Sequence, residues 1–237
     1  MNAPLRVLIH GSTGRMGQAL LRLCDEQPER FVVAGAVSQQ PSQRVVDGVP
    51  QFAARELSGV PAFDVLVDFS RPEAFDRVLA LAVARNAAFV SGTTGLSDPQ
   101  REALARAAEQ VPACWASNFS LGVAVLAQLV ARAARSLQGW DCDIVEAHHA
   151  GKVDAPSGTA LTLGEAAGEA GAEPRYASLR AGDIVGEHLV QFTGAGERIE
   201  LLHRATNRDT FARGALHAAS SLAGREPGLY EVGQLLE

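Results

Sequence analysis

The chain has 237 residues, 47% of them hydrophobic and 20% charged, and a formal net charge of -6. That balance supports a sizeable core and argues against disorder, and the acidic surplus argues against general nucleic-acid binding, which needs basic surface to release counterions. No apolar run is long enough to span a bilayer, and three cysteines without CxxC spacing suggest neither a disulfide framework nor a zinc site.

The first four residues run straight into a strand-like segment with no basic or apolar leader, so the expected location is cytoplasmic. Residues 5–10 read as a buried parallel strand, 11–17 as a glycine-rich loop and 18–23 as the helix that follows. Residues 31–37 and 65–69 read as further strands, and Pro72 is a good first-turn residue for a helix ending near Arg85. A strand at 88–91, a helix from about 100 to 110 and a strand at 113–116 continue the alternation. It implies a Rossmann-type, doubly wound parallel sheet. After Asn118 the pattern changes. A long apolar-rich helix at 121–137 is followed by a strand at 141–148 and a helix at 160–170. Two strands at 188–192 and 198–202 flank the turn Gly194-Ala195-Gly196, which suggests antiparallel pairing, and a helix at 211–222 closes the pattern. The expected organisation is an α/β dinucleotide-binding domain of residues 1–119 with 207–237. A smaller α+β domain for substrate binding and oligomerisation occupies 120–206.

Gly11, Gly14 and Gly17 lie between the first strand and its helix. Glycines there let the backbone turn tightly toward a pyrophosphate, and the helix start offers N–H groups and a positive dipole end. The loop Gly11-Ser12-Thr13-Gly14-Arg15-Met16 is therefore the expected dinucleotide cradle. The second strand ends in Ser38-Gln39, with no carboxylate to pair with a ribose 2′-OH or to repel a 2′-phosphate, and Arg15 or Arg44 could supply positive charge nearby. NADPH should serve at least as well as NADH. Gly92-Thr93-Thr94 and Ala116-Ser117-Asn118-Phe119 lie at strand ends, where such sheets bind ligands; ordinary turn chemistry explains them equally well.

Of the 21 basic residues, 20 are arginine and one is Lys152. Arginine cannot deliver a proton and an ammonium can, so the exception is either chance or a position where arginine fails. Lys152 follows His148 and His149 and precedes Pro156-Ser157-Gly158-Thr159, which opens a helix. Strand alternation places His148 on one face with Ile144 and Glu146 and turns His149 away. A metal held by Glu146 and a histidine fits no zinc spacing. Ser157 can cap the helix, and the N–H groups of Gly158 and Thr159 can face an anion. A carboxylate cradle with proton donors beside a dinucleotide domain suits hydride transfer coupled to protonation.

These residues resemble the 4-hydroxy-tetrahydrodipicolinate reductase (dihydrodipicolinate reductase) family over nearly the whole chain. The resemblance is carried by Gly14-Arg15-Met16-Gly17, Asp68-Phe69-Ser70-Arg71-Pro72, Gly92-Thr93-Thr94 and Asn118-Phe119-Ser120. It continues through the run from Glu146 to Ala160 and from Arg180 to His188. It implies NAD(P)H-dependent reduction of a cyclic dicarboxylate in lysine and diaminopimelate biosynthesis, by a homotetramer assembled through the second domain. It also implies His148 as proton donor or acceptor, His149 as a substrate contact and Lys152 as proton donor beside the carbon that takes the hydride. Gly158 and Thr159 would hold a substrate carboxylate. Two departures stand out: Ser38-Gln39 replaces the family's frequent acidic-then-basic pair, and the chain is short between Gly171 and a strand expected at 180–183. A non-catalytic dinucleotide-binding regulator, or a reductase of another small carboxylate, are the competing readings. The intact His148 and Lys152 disfavour the first, and the long match around Lys152 disfavours the second.

Overall fold

A computed structural model describes residues 3–236. The chain divides into two compact units, one of residues 1–119 with 211–237 and one of residues 120–210. No helix among the described residues is long and apolar enough to cross a membrane.

The first unit holds an eight-stranded sheet. Its strands are β1 (Leu5–His10), β2 (Phe31–Ser38), β3 (Val45–Val46), β4 (Val49–Ala53), β5 (Val65–Asp68), β6 (Ala88–Ser91), β7 (Pro112–Trp115) and β12 (Gly228–Tyr230). Their order is β12-β7-β6-β5-β1-β2-β4-β3, parallel throughout except for the small β3–β4 ribbon. The centre is sealed on both faces: Val7, Leu8, Ile9, Val65, Leu66, Val67, Phe89 and Val90 are fully buried. That is why these strands read as continuous apolar runs. Helices α1 (Arg15–Asp25), α2 (Pro72–Ala84) and α3 (Asp98–Ala108) follow β1, β5 and β6 in turn. The Rossmann-type expectation is met.

The second unit packs α4 (Leu121–Ser136) and α5 (Gly158–Glu169) on a mixed sheet. Its strands are β8 (Asp141–His148), β9 (Pro174–Arg180), β10 (Gly186–Gly194) and β11 (Glu197–Ala205), in the order β11-β10-β8-β9. The β10–β11 hairpin is antiparallel, as its glycine turn implied, and Gly196 adopts φ +87° there. Helix α6 (Asp209–Leu222) follows the sheet in sequence.

Two expectations need correction. Helix α1 begins at Arg15, three residues before the expected start, so Gly17 lies inside its first turn. The cause is packing: a Cβ on Gly17 would lie 2.3 Å from the Gly11 carbonyl oxygen, so this glycine admits close approach rather than a turn. The expected strand at 180–183 is instead the end of β9 followed by a turn, with Gly182 at φ +49°. The shortened segment after Gly171 forms β9 itself, which pairs in parallel with β8 from Cys142 to His148.

Candidate active site

In the first unit, Gly11 (φ +81°) brings the chain out of β1 against Phe69, whose carbonyl oxygen a Cβ there would meet at 2.3 Å. Gly14 caps α1 without a side chain, and no acidic residue occupies the first turn. The N–H groups and dipole of this helix start thus meet no carboxylate from the helix's own first turn. Beside it opens a cleft of about 470 Å³ lined by Ser12, Thr13, Arg22, Ser38 and Gln43 among others. The hydroxyl of Ser38 is buried with no hydrogen-bond partner, a polar atom that a ribose or its phosphate would satisfy. A glycine cradle, a cleft and an orphaned hydroxyl at the end of β2 fit a dinucleotide. Arg44 bonds Glu56 at 2.8 Å and does not line this cleft; Arg22, which the sequence did not single out, does.

The carboxyl ends of β1, β5 and β6 meet at Asp68, which is fully buried. His10 Nδ1 lies 2.7 Å from one carboxylate oxygen, while the hydroxyls of Ser91 and Thr93 donate to the other at 3.0 and 2.8 Å. Burial pushes the Asp68 carboxyl upward, but His10, with Ser70 and Thr93, more than offsets it and holds it below the usual range. Thr93 Oγ1 also accepts the Ser70 N–H, and its carbonyl accepts Trp115 Nε1–H at 2.8 Å. The segments at Gly92-Thr93-Thr94 and Ala116 are therefore drawn together, with Ala116 N–H donating to the Ser91 carbonyl. A Cβ on Gly92 would overlap the Phe69 ring, which itself packs at 5.7 Å against Phe119.

In the second unit, the core-facing rows of three strands change character along their length. On β8 the row runs Cys142, Ile144, Glu146, His148; on β10, read backward in register, it runs Phe192, Val190, His188, Gly186. On β11, His203 is the register partner of His188. One end is an apolar core with Leu126, Val130 and Leu163; the other is polar. Glu146 is fully buried and bonded to His148 Nδ1 at 2.5 Å and to both terminal nitrogens of Arg180 at 2.7 and 3.0 Å. Burial raises the Glu146 carboxyl, but bonds from Arg180, Ser178 and His148 outweigh it and bring it down to about 2. A carboxylate only accepts, so His148 carries hydrogen on Nδ1 and presents Nε2. Burial lowers the His148 pKa below the ordinary 6.5 more than Glu146 raises it, so the imidazole is neutral near pH 7.

The chain leaving β8 is fixed by backbone bonds from Ala181 to His148 and from Ala150 to Gly182. β8 ends at His148, so His149 lies just beyond the strand and outside its alternation; it is partly buried. Lys152 Nζ pairs with Asp154 Oδ1 at 2.8 Å, its side chain 22% exposed, while Arg180 donates to the Asp154 carbonyl at 2.6 Å. Ser157 caps α5, accepting the Ala160 N–H at 3.3 Å, and no acidic residue stands in the first turn. Asp154, Arg180 and Glu146 thus connect Lys152 to His148, while His149 joins only through its backbone carbonyl, which accepts the Lys152 N–H. Among the described residues no group of three or more His, Cys, Asp or Glu is placed to hold a metal ion.

Sequence reasoning assigned no role to Arg180, His188 or His203. The available signal was the two-residue period of 186–192, which puts a histidine on an otherwise apolar row.

The description "Dihydrodipicolinate reductase, N-terminus" matches residues 5–119, and "Dihydrodipicolinate reductase, C-terminus" matches 122–236. The chain is 70% identical over 235 residues to the 4-hydroxy-tetrahydrodipicolinate reductase of Stenotrophomonas maltophilia (strain K279a), covering 99% of this chain and 98% of the relative. It is 63% identical over 236 residues to that of Xylella fastidiosa (strain 9a5c), covering all of both. Among solved structures, the dipicolinate-bound dihydrodipicolinate reductase of Paenisporosarcina sp. TG-14 shares the fold with a TM-score of 0.84 at 22% identity, over 99% of this chain and 100% of that one. With both halves matched and identity this high over the full length, the chain belongs to the 4-hydroxy-tetrahydrodipicolinate reductase family, NAD(P)H-dependent oxidoreductases of lysine and diaminopimelate biosynthesis.

Proposed function

We propose that the first unit binds the dinucleotide and the second binds the cyclic dicarboxylate, with Lys152 as the proton donor of the reduction. The observation that carries this is the set of Lys152, His148 and the start of α5, tied through Asp154, Arg180, Glu146 and His188 at the polar end of the four-stranded sheet. Gly11-Ser12-Thr13-Gly14-Arg15-Met16 would hold the pyrophosphate, Ser38 the adenosine ribose, and Gly92-Thr93-Thr94 with Ala116-Ser117-Asn118-Phe119 the nicotinamide. The reduced nicotinamide, when bound, supplies the hydride that adds to C4 of the dicarboxylate after loss of its hydroxyl.

Lys152 gives an ammonium proton to the ring atom beside that carbon, and becomes a neutral amine. Asp154 holds the ammonium in place before transfer. His148, neutral near pH 7, offers an Nε2 lone pair that accepts a proton or hydrogen bond. His149 contacts the substrate, while Ser157 sets the helix start from which Gly158 and Thr159 bind a carboxylate through N–H and hydroxyl groups. With no acid at the end of β2, NADPH is used at least as well as NADH.

The assembly proposed is a homotetramer built through the second unit. Across its open sheet face, register aligns Ala177, Val145, Leu189 and Leu202, an apolar band continued by exposed Leu179. Three free, buried cysteines suit a cytoplasmic, reducing location.

The test is an NAD(P)H-oxidation assay coupled to the synthase that makes the unstable dicarboxylate. Lys152→Ala should lower kcat by about 100-fold or more with dinucleotide affinity retained, the range for a lost general acid. Lys152→Arg keeps the charge but not the transferable proton, so near-wild-type turnover in that variant would refute the proton-donor role. A strong preference for NADH over NADPH in kcat/KM would refute the cofactor assignment.

A further inference from the structure

His188 holds two parts of the proposed substrate site at once and belongs to neither. It is 4% exposed, on the core-facing row of β10, opposite Glu146 in register. Its Nε2 lies 3.1 Å from the Ser157 hydroxyl. Its ring meets that of His148 edge-on, with centroids 5.2 Å apart. A capping serine needs only its bond to a helix N–H, and Ser157 already has one to Ala160. The bond to His188 gives the hydroxyl a second fixed partner on a different element. The helix start is thereby registered against β10, and through ring contact against His148. The arrangement also carries a cost: His188 Nδ1 is buried with no partner. An unpaired buried nitrogen is retained where the ring serves a purpose that an apolar side chain of similar size would not.

A parallel arrangement lies alongside. His203 Nε2 is 3.3 Å from the Ser120 hydroxyl, which caps α4 by accepting the Val123 N–H at 3.3 Å. The His203 ring touches His188, at 6.5 Å between centroids, and not the α5 start. Two serine caps are thus each tied to a strand histidine, but only the α5 cap sits where the dicarboxylate is placed.

We propose that His188 is a positioning residue for the reduction, holding the carboxylate-binding start of α5 in register with the imidazole of His148. This rests on the reading that the dicarboxylate is bound at Gly158 and Thr159. His188 touches neither substrate nor dinucleotide, so its loss shows first in substrate affinity.

The experiment measures dipicolinate affinity by calorimetry, KM and kcat in the coupled assay, and Tm, on the full chain. His188→Phe keeps the ring edge and removes the bond to Ser157. It should raise the dipicolinate Kd and the substrate KM about tenfold, with a smaller fall in kcat. Ser157→Ala should do the same, and the double variant no more than the stronger single, because the two side chains act as one unit. His188→Gln carries its amide to the place of Nε2 and should restore affinity, whereas the shorter His188→Asn should not; this pair decides the matter if the phenylalanine variant fails to fold. Ser120→Ala removes the comparable cap of α4 and should lower Tm with dipicolinate affinity unchanged. A wild-type KM and Kd in His188→Phe, additive effects in the double variant, or equal affinity losses in His188→Gln and His188→Asn would overturn the proposal. If the wild-type chain itself neither binds dipicolinate nor reduces the dicarboxylate, the failure is of the underlying site assignment instead.

Discussion

Each unit buries one carboxylate completely, and each sets it against a histidine Nδ1 at a strand end, yet the two pairs have different surroundings. Around Asp68 the remaining acceptor capacity is taken by neutral hydroxyls, Ser91 and Thr93, and no arginine or lysine joins. Around Glu146 it is taken by the guanidinium of Arg180, and the histidine's other nitrogen stands beside Gly186, where a Cβ would lie 3.1 Å away. In the first network the carboxylate's partners all come from the segments it ties together, the ends of β1, β5 and β6. In the second a charged guanidinium joins, and the histidine stands at the start of the chain that carries Lys152. A buried carboxylate–histidine pair is therefore no mark of chemistry by itself. What distinguishes the two is the company of the pair: neutral hydroxyls around Asp68, a guanidinium and the chain leading to Lys152 around Glu146.

The comparison can be broken most sharply at Glu146. Glu146→Ala leaves Arg180 without its counter-charge and His148 without its orienting acceptor. It should cost about 3 kcal/mol of stability and lower kcat about 100-fold, read by denaturant unfolding and the coupled assay. Wild-type turnover in a folded variant would reduce Glu146 to a structural group like Asp68.

A second test uses pH. Burial, with His148 and His203 nearby, lowers the His188 pKa from 6.5 to about 4, so the unfolded chain binds the extra proton first. Stability is full above pH 6.5 and falls as pH drops toward 4, with about 2 kcal/mol lost by pH 5 from this ring alone. His148 and His203, also lowered by burial, act in the same direction. The Glu146 carboxyl, depressed to about 2, contributes stability above its ordinary 4.5 that is lost only at still lower pH. Unfolding free energies between pH 7 and 5 should be visibly flatter in His188→Phe; an unchanged slope would remove this ring as the cause.

Asp68→Asn should have the smallest effect, costing about 1–2 kcal/mol because an amide cannot accept from three donors and must place its own N–H₂. Dinucleotide Kd should rise as the segment from Gly92 to Thr94 loosens, while dipicolinate Kd stays at the wild-type value. A change in dipicolinate affinity of equal size would erase the distinction between the two networks.

The same contrast explains what the sequence made legible. A backbone site announces itself, because only glycine tolerates φ +81° at residue 11 or the close approach at residue 17. Even there the helix start was misplaced, since a glycine admitted for packing looks the same as one admitted for turning. Central strands stood out as apolar runs, whereas β9 is mostly exposed and lacks alternation, and β3 and β12 have two and three residues. Lys152, His148 and His149 were conspicuous through rarity and adjacency. Arg180 and His188 lie 34 and 42 positions beyond Glu146 and meet it only through strand pairing, as the bond between Arg180 and Glu146 and the register of His188 with Glu146 show. No local spacing encodes those meetings; they follow from a register that the hairpin turn and the β8–β9 pairing impose.

The partial exposure of Lys152 has a practical consequence. It is the only ε-amine in the chain, 22% exposed and held by a single carboxylate. An amine-selective reagent at neutral pH therefore has one side-chain target in the whole molecule. The yield of that modification, read on the peptide that carries Lys152 so that it is separated from the more reactive terminal α-amine, reports occupancy of the site, and protection by a bound dicarboxylate becomes a binding assay that needs neither cofactor nor turnover.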